Sequence, residues 1–173
     1  LNDQIRGVAN RLADAGFAAL VPDLYRGKAT VEEEEANHLM TGLDFGDAAS
    51  QDVRGAVQFL KAKGGKSSAK VAVTGFCMGG ALTWLALANA PEADAGVAWY
   101  GMPPLEYIDA TKIKVPELAA AGVAYQGHRY LAHHAFANET AVGRGRIPNT
   151  QFDRVWARIA WDRTLRFFGR ELG

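Results

Sequence analysis

The residues around the single cysteine have the types and spacing of a nucleophilic site. Residues 70–80 read KVAVTGFCMGG, a short β-branched strand that leads into a Gly-x-Cys-x-Gly turn and then into an apolar helix. This order is the pattern of a nucleophile elbow, a sharp turn that lifts its central side chain above the edge of a sheet. The positive end of the following helix would favour the ionised thiol. The sequence therefore predicts acyl-transfer chemistry at Cys77.

The backbone of this turn predicts two further features. The N–H of Met78 is expected to point at the position where an oxyanion would form. Gly75 and Gly79 are expected to be required because a Cβ at either position would clash with the neighbouring strand or helix. The alternative is that Cys77 is a small buried hydrophobic residue, as free cysteines often are. The flanking glycines favour the elbow.

A cysteine nucleophile needs a base that takes its proton and later protonates the leaving group. His134 follows the last predicted strand, 124–130, in the chain order in which α/β-hydrolases carry nucleophile and histidine. His133 is the neighbouring rival, and its alternative role is a loop histidine that points to solvent. His38 and His128 fall on a predicted helix and strand, where surface or packing roles are expected.

Strands and helices alternate along the chain. Apolar residues at helical spacing predict helices between Asn2 and Gly16 and over 31–40, 51–62, 81–90 and 152–172. Besides the strand before the elbow, apolar runs predict strands over 17–21, 95–100, 113–115 and 124–130. This alternation indicates an α/β fold, a mostly parallel sheet with helices on both faces.

Composition narrows the function classes. The 173 residues are about half apolar, which suits one domain over 1–173. Basic and acidic residues number 19 each, so no overall field attracts nucleic acid or an anionic membrane. No apolar stretch reaches the length of a membrane span. One cysteine excludes a disulfide framework and a cysteine-based metal site, so we expect a reducing, cytoplasmic location, with no metal and no cofactor required.

Six segments together match one known family. They are VPDLYRG at 21–27, HLMTGL at 38–43, GFCMGG at 75–80, YG at 100–101, HAF at 134–136 and AWDRTL at 160–165. On these residues the chain resembles the dienelactone hydrolases, also called carboxymethylenebutenolidases, of the α/β-hydrolase superfamily. The resemblance implies a cofactor-free hydrolase that opens an enol lactone through a cysteine acyl-enzyme, with Cys77 as nucleophile and His134 as base.

Four residues of these segments are candidates for substrate binding. Arg26 is the expected anchor for a substrate carboxylate, because a guanidinium can bind that group through two parallel hydrogen bonds. Its alternative role is that of a surface loop arginine. Tyr25, Tyr100 and Phe136 are expected to line an apolar pocket over Cys77, or else to be ordinary core residues.

The chain departs from the family pattern in three places. It starts at Leu1, after the position of a family glutamate that helps ionise the cysteine and after the first expected strands. The third strand meets the helix at Glu117 without a connecting loop, so we expect a gap of about 20 or more residues after Pro116. If the chain is continuous, Glu117 is the carboxylate at the position of the triad acid. Asn138 stands where the family carries a second substrate-binding arginine, which favours other small esters or lactones.

Two other function classes compete with a cysteine-dependent hydrolase of a small lactone or ester. One is a non-catalytic relative that kept the fold and lost the acid. The other is a nucleotide-binding module, but residues 75–80 do not match G-x-G-x-x-G and no Lys-Ser or Lys-Thr follows them. We expect a small-molecule substrate, and a monomer or a small homo-oligomer.

Overall fold

The computed structural model describes residues 1–63, 69–90, 92–103, 127–144 and 146–173. In chain order its elements are α1 Asp3–Asp14, α2 Glu33–Thr41, α3 Phe45–Asp47, a π-helical segment Ala48–Val53, α4 Arg54–Lys63, β1 Ala72–Phe76, α5 Met78–Asn89, β2 Ala95–Trp99 and α6 Arg154–Leu172. The helices predicted between Asn2 and Gly16 and over 31–40, 51–62, 81–90 and 152–172 are present, as are the strand before the elbow and the strand that follows α5. The helix predicted to begin at Glu117 lies outside the described residues. Within the described ranges, none of the helices combines the length and the apolar character needed to cross a bilayer.

The two strands form the parallel sheet that positions the site. β1 pairs with β2 in a register that sets Ala72 opposite Ala95 and Phe76 opposite Trp99. The connection between them is α5, which packs against both strands. Because parallel strands end at the same edge of a sheet, the residues that follow Phe76 and Trp99 come together there.

Side chains alternate across this sheet and so separate its two faces. Phe76, Val97 and Trp99 share one face and pack with residues of α6 such as Ala160 and Trp161. On the other face, a Cβ at Gly96 would lie 2.6 Å from the Leu87 side chain of α5. Helices therefore cover both faces, and the predicted α/β architecture is confirmed.

A second apolar cluster lies where α5 meets the π-helical segment. Its buried members are Ala48, Ala49, Leu82 and Leu85, and partly buried residues pack around them, namely Leu24, Leu43, Phe45, Met78 and Trp84. This cluster joins the first residue of α5 to the segment that carries Tyr25 and Arg26. The loop after α1 is thereby held close to the elbow.

The predicted strand at 17–21 is wrong in the described structure, where these residues have no strand assignment. Phe17 packs its ring on Phe168 of α6, with 6.0 Å between centroids, but Leu20 is 41% exposed. A strand exists only with a ladder partner, and of the described residues only β1 and β2 form a ladder. The apolar run predicted a tendency to be buried, but it could not predict a partner.

Other sequence predictions fall partly or wholly beyond the described ranges. Of the predicted strand at 124–130, residues 127–130 are described and are not in a strand. The predicted strand at 113–115 and the proposed gap between Pro116 and Glu117 lie outside the described residues. The single-domain assignment over 1–173 stays a prediction.

Candidate active site

Cys77 occupies the strained apex of the turn between β1 and α5. Its backbone has φ 54° and ψ −116°, a positive φ that residues with a side chain rarely adopt. The Cys77 N–H donates to the Trp99 carbonyl at 3.0 Å, and the Cys77 carbonyl accepts from the Ala81 N–H at 3.1 Å. One bond to β2 and one to α5 hold the strained conformation. The side chain is exposed, so the alternative of a buried hydrophobic cysteine is wrong.

The steric need for glycine in the elbow is only partly as predicted. A Cβ at Gly75 would collide with the carbonyl group of Gly79, which confirms that Gly75 must be glycine. At Gly79 a Cβ would meet nothing within 4 Å, so the predicted clash at that position is wrong. The constrained position is Gly80, where a Cβ would lie 2.6 Å from the Trp99 carbonyl oxygen. In α5, therefore, Gly80 and not Gly79 faces β2.

Sequence reasoning missed the packing role of Gly101. A Cβ there would collide with the carbonyl oxygen of Cys77, so the chain that leaves β2 passes directly against the elbow. The signal in the sequence was the Tyr-Gly pair directly after a predicted strand. Close approach of two backbones explains why glycine stands at this point.

The structure brings His134 to the cysteine. The His134 Nε2 lies 3.1 Å from the Cys77 Sγ, across 57 residues of sequence. An isolated β-bridge pairs His134 with Thr150, and the Gln151 N–H donates a hydrogen bond to the His134 carbonyl at 3.1 Å. These contacts fix the backbone of the His134 loop. His133, its neighbour, is exposed and forms no hydrogen bond within the described part of the chain. The imidazole can therefore accept the thiol proton or donate to the thiolate.

Tyr100 forms the side of the site next to the imidazole. Its ring meets the His134 ring edge-on at 5.1 Å between centroids and the Phe136 ring at 5.3 Å. Burial raises the pKa of the Tyr100 phenol, and the negative charge of the Cys77 thiolate raises it further. The phenol therefore stays protonated and adds no negative charge beside the nucleophile.

Phe136 takes the core role that was the alternative to a pocket role. It is 7% exposed, and its ring lies 6.1 Å from that of Trp99 and 5.3 Å from that of Tyr130. This aromatic cluster anchors the loop two residues after His134. Contact between Phe136 and a substrate stays a prediction.

Met78 and Tyr25 meet on the other side of the elbow. Met78 is the first residue of α5, so its N–H has no acceptor within the helix. Its contact with an oxyanion stays a prediction. The Tyr25 hydroxyl lies 3.5 Å from the Met78 Sδ. Burial raises the pKa of Tyr25, which keeps this hydroxyl neutral as well. Tyr25 thus lies against the first residue of α5, and its contact with a substrate stays a prediction.

Arg26 is exposed beside Tyr25, and its guanidinium already has carboxylate partners. Its Nη2 lies 3.4 Å from both carboxylate oxygens of Asp52 and 3.7 Å from Asp47. These three residues line a cavity of about 310 Å³, and Cys77 is not part of the lining. The role of Arg26 as a substrate anchor stays a prediction.

The structure describes only some of the residues that could complete a catalytic triad. Among the described residues, no carboxylate forms a hydrogen bond with the His134 ring, and the candidate Glu117 lies outside those ranges.

The Asn138 Oδ1 is occupied by the Thr140 N–H and hydroxyl, at 3.0 and 2.8 Å. No group of three or more potential metal ligands occurs in the part of the chain that the structure describes.

Comparison with known proteins places this chain in a family. A model of the dienelactone hydrolase family matches residues 1–124, which is more than half of the chain. The chain belongs to the dienelactone hydrolase family. The six segments that carried the resemblance therefore identified the family correctly.

Individual relatives show how much of the family the chain spans. Protein usf of Aquifex pyrophilus is 39% identical over 115 residues, which cover 65% of this chain and 50% of that protein. A protein of Methylorubrum extorquens named "Putative carboxymethylenebutenolidase" is 34% identical over 141 residues, which cover 73% of this chain and 48% of that protein. The chain thus spans about half the length of the curated relatives it matches.

A solved structure supports the same fold. The crystal structure of a dienelactone hydrolase-like promiscuous phosphotriesterase from metagenomic libraries superposes with a TM-score of 0.80 at 25% identity. The superposition covers 100% of this chain and 82% of that chain. The arrangement of β1, α5 and β2 around Cys77 is therefore part of a dienelactone hydrolase-like fold.

Proposed function

We propose that this protein is a hydrolase of small lactones or esters that works through a covalent thioester at Cys77. Membership of the dienelactone hydrolase family supports hydrolysis of this type. The observation that carries the cysteine mechanism is the 3.1 Å separation of the Cys77 Sγ and the His134 Nε2 at a strained, exposed elbow. Nucleophile and base within hydrogen-bond reach are what covalent acyl transfer requires.

In the first half of the reaction, His134 takes the thiol proton and the Cys77 sulfur forms a bond to the carbonyl carbon. The carbonyl electron pair moves to oxygen, where the Met78 N–H and the N-terminal end of α5 stabilise the negative charge. When the carbonyl re-forms, the bond to the leaving oxygen breaks. The His134 imidazolium then gives its proton to that oxygen, which in a lactone stays attached to the acyl group.

In the second half, water cleaves the thioester. His134 takes a proton from the water, and the hydroxide oxygen forms a bond to the acyl carbon. The carbon–sulfur bond breaks as the acid product forms, and the proton held by His134 returns to the thiolate. The site is thereby restored with no net change in the protein, and one water is consumed for each ester bond.

Steady-state kinetics of one cysteine variant and two histidine variants tests this proposal. With p-nitrophenyl butyrate and dihydrocoumarin as substrates, C77A should lose turnover, and H134A should lower kcat/KM by a factor of about 10² to 10⁴. H133A is the matched control, because it removes an exposed histidine of the same loop that does not contact the thiol. It should retain wild-type kcat/KM.

Two results would overturn the proposal. One is a C77A variant that remains as active as the wild type. The other is a wild-type protein that unfolds cooperatively, and so is properly folded, yet hydrolyses neither substrate. The second result would favour the non-catalytic relative.

A further inference from the structure

A tight turn of the backbone sets the direction in which the Arg26 side chain leaves the loop. Arg26 and Gly27 both have positive φ, 54° and 87°, which makes a tight turn. The Asp23 carboxylate accepts from the Gly27 N–H at 2.8 Å and closes that turn. Arg26 therefore leaves the turn in one direction, toward the helical residues that contain Asp47 and Asp52.

Those two carboxylates come from consecutive turns of the helical region beside the loop. Asp47 ends α3, and Asp52 lies in the π-helical segment that follows. Both lie within 4.0 Å of the Arg26 Nη2, at 3.7 and 3.4 Å. Arg26 is thus shared between two anions in the resting protein.

The cavity around this group is connected to the elbow through Tyr25. Tyr25 lines it and also places its hydroxyl 3.5 Å from the Met78 Sδ, one residue after Cys77. A substrate bound at Cys77 would have to extend past Tyr25 to reach this space of about 310 Å³. Its charged lining residues are Arg26, Lys28, Asp44, Asp47 and Asp52, two cations and three anions.

We propose that Asp47 and Asp52 make this site select neutral substrates over anionic ones by occupying Arg26. The inference rests on the proposed hydrolase function. A carboxylate on the substrate would have to displace Asp52 from the guanidinium and would meet a cavity of net negative formal charge. A neutral ester meets neither obstacle. Asp47 and Asp52 are therefore specificity-determining residues that act through Arg26.

The size of the effect follows from exposure. The side chains of Arg26 and Asp52 are 70% and 26% exposed, so solvent screens the pair and an anion is disfavoured without being excluded. Two near-isosteric esters read out the preference, neutral p-nitrophenyl butyrate and anionic mono-p-nitrophenyl succinate. In D52N, the ratio of kcat/KM for the anionic over the neutral ester should rise about two- to fivefold, the scale of one exposed charge pair.

D44N is the matched control. It removes the same charge from the same cavity, while Asp44 caps α3 through the Asp47 N–H at 2.9 Å, a role that asparagine also performs. It should change the ratio much less than D52N does. In R26Q/D52N the ratio should return to the wild-type value, because R26Q removes the guanidinium that D52N frees.

The inference is overturned if D52N leaves the ratio unchanged, if D44N raises it equally, or if the wild type prefers the succinate ester and R26Q abolishes that preference. A wild-type protein that hydrolyses neither ester contradicts the proposed function instead. The charge preference is then read from the alkylation of Cys77, as the rate with iodoacetate over the rate with iodoacetamide. The iodoacetate-to-iodoacetamide rate ratio should also rise in D52N and should return to the wild-type value in R26Q/D52N. A D52N ratio equal to that of the wild type again overturns the inference.

Discussion

In the proposed mechanism, the reactivity of Cys77 depends on a proton that passes between its sulfur and His134, which lie 3.1 Å apart. The two side chains were predictable as partners because a strand, turn and helix pattern marks the nucleophile and the chain order marks the histidine. The carboxylates that hold Arg26 were not predictable. Asp47 and Asp52 lie more than 20 residues from Arg26 along the sequence, and no local sequence pattern predicts an ion pair between a loop and a helix.

Alkylation rates test the shared proton at this scale. The wild-type protein should react with iodoacetamide at neutral pH faster than a free thiol does, because the His134 Nε2 lies 3.1 Å from the sulfur and can take its proton. H134A should react several times more slowly, whereas H133A should match the wild type. A stopped-flow or mass-resolved time course measures all three. Equal rates for the two histidine variants would remove His134 from the role of base.

At the scale of elements, the elbow depends on how closely α5 approaches β2. Helices were predictable from local spacing of apolar residues, whereas the strand at 17–21 failed because a strand requires a partner elsewhere in the chain. The same limit applies to glycines. The pattern marked Gly75 and Gly79 equally, but only the packing of the elbow shows that Gly75 and Gly80 are constrained and that Gly79 has room for a Cβ.

A pair of alanine variants tests this packing. G80A should lower the free energy of unfolding by about 1 to 3 kcal/mol, because its Cβ would lie 2.6 Å from the Trp99 carbonyl oxygen and α5 must shift. G79A should be neutral or slightly stabilising, since it has room and alanine is the better helix former. Urea titrations give both values. Equal destabilisation by the two variants would contradict this account of the elbow.

At the scale of the whole molecule, an ion pair links the first half of the chain to the segment after α5. The Arg54 guanidinium donates to the Glu92 carboxylate at 2.7 and 3.1 Å, and the Gln58 amide donates to it at 2.9 Å. The bonds from Arg54 and then from Gln58 lower the pKa of Glu92 to about 2 from its usual 4.5. The charged form is therefore the one that stabilises the fold.

This link predicts a pH dependence of stability. Its contribution is complete above pH 4.5 and is lost as the pH falls toward 2, because protonation then breaks the pair. E92Q lacks that titration, so its melting temperature should decline less than that of the wild type over this range. Both residues are partly exposed, so the difference should be modest. Parallel declines in thermal melts from pH 5 to 2 would contradict the link.

The central claim is that Cys77 carries the acyl group. The most direct test mixes the protein with p-nitrophenyl butyrate, quenches in acid within seconds and locates the added mass by peptide mapping. We expect one butyryl group on Cys77, and none in C77A. An adduct on another residue, or undiminished turnover by C77A, would contradict the account.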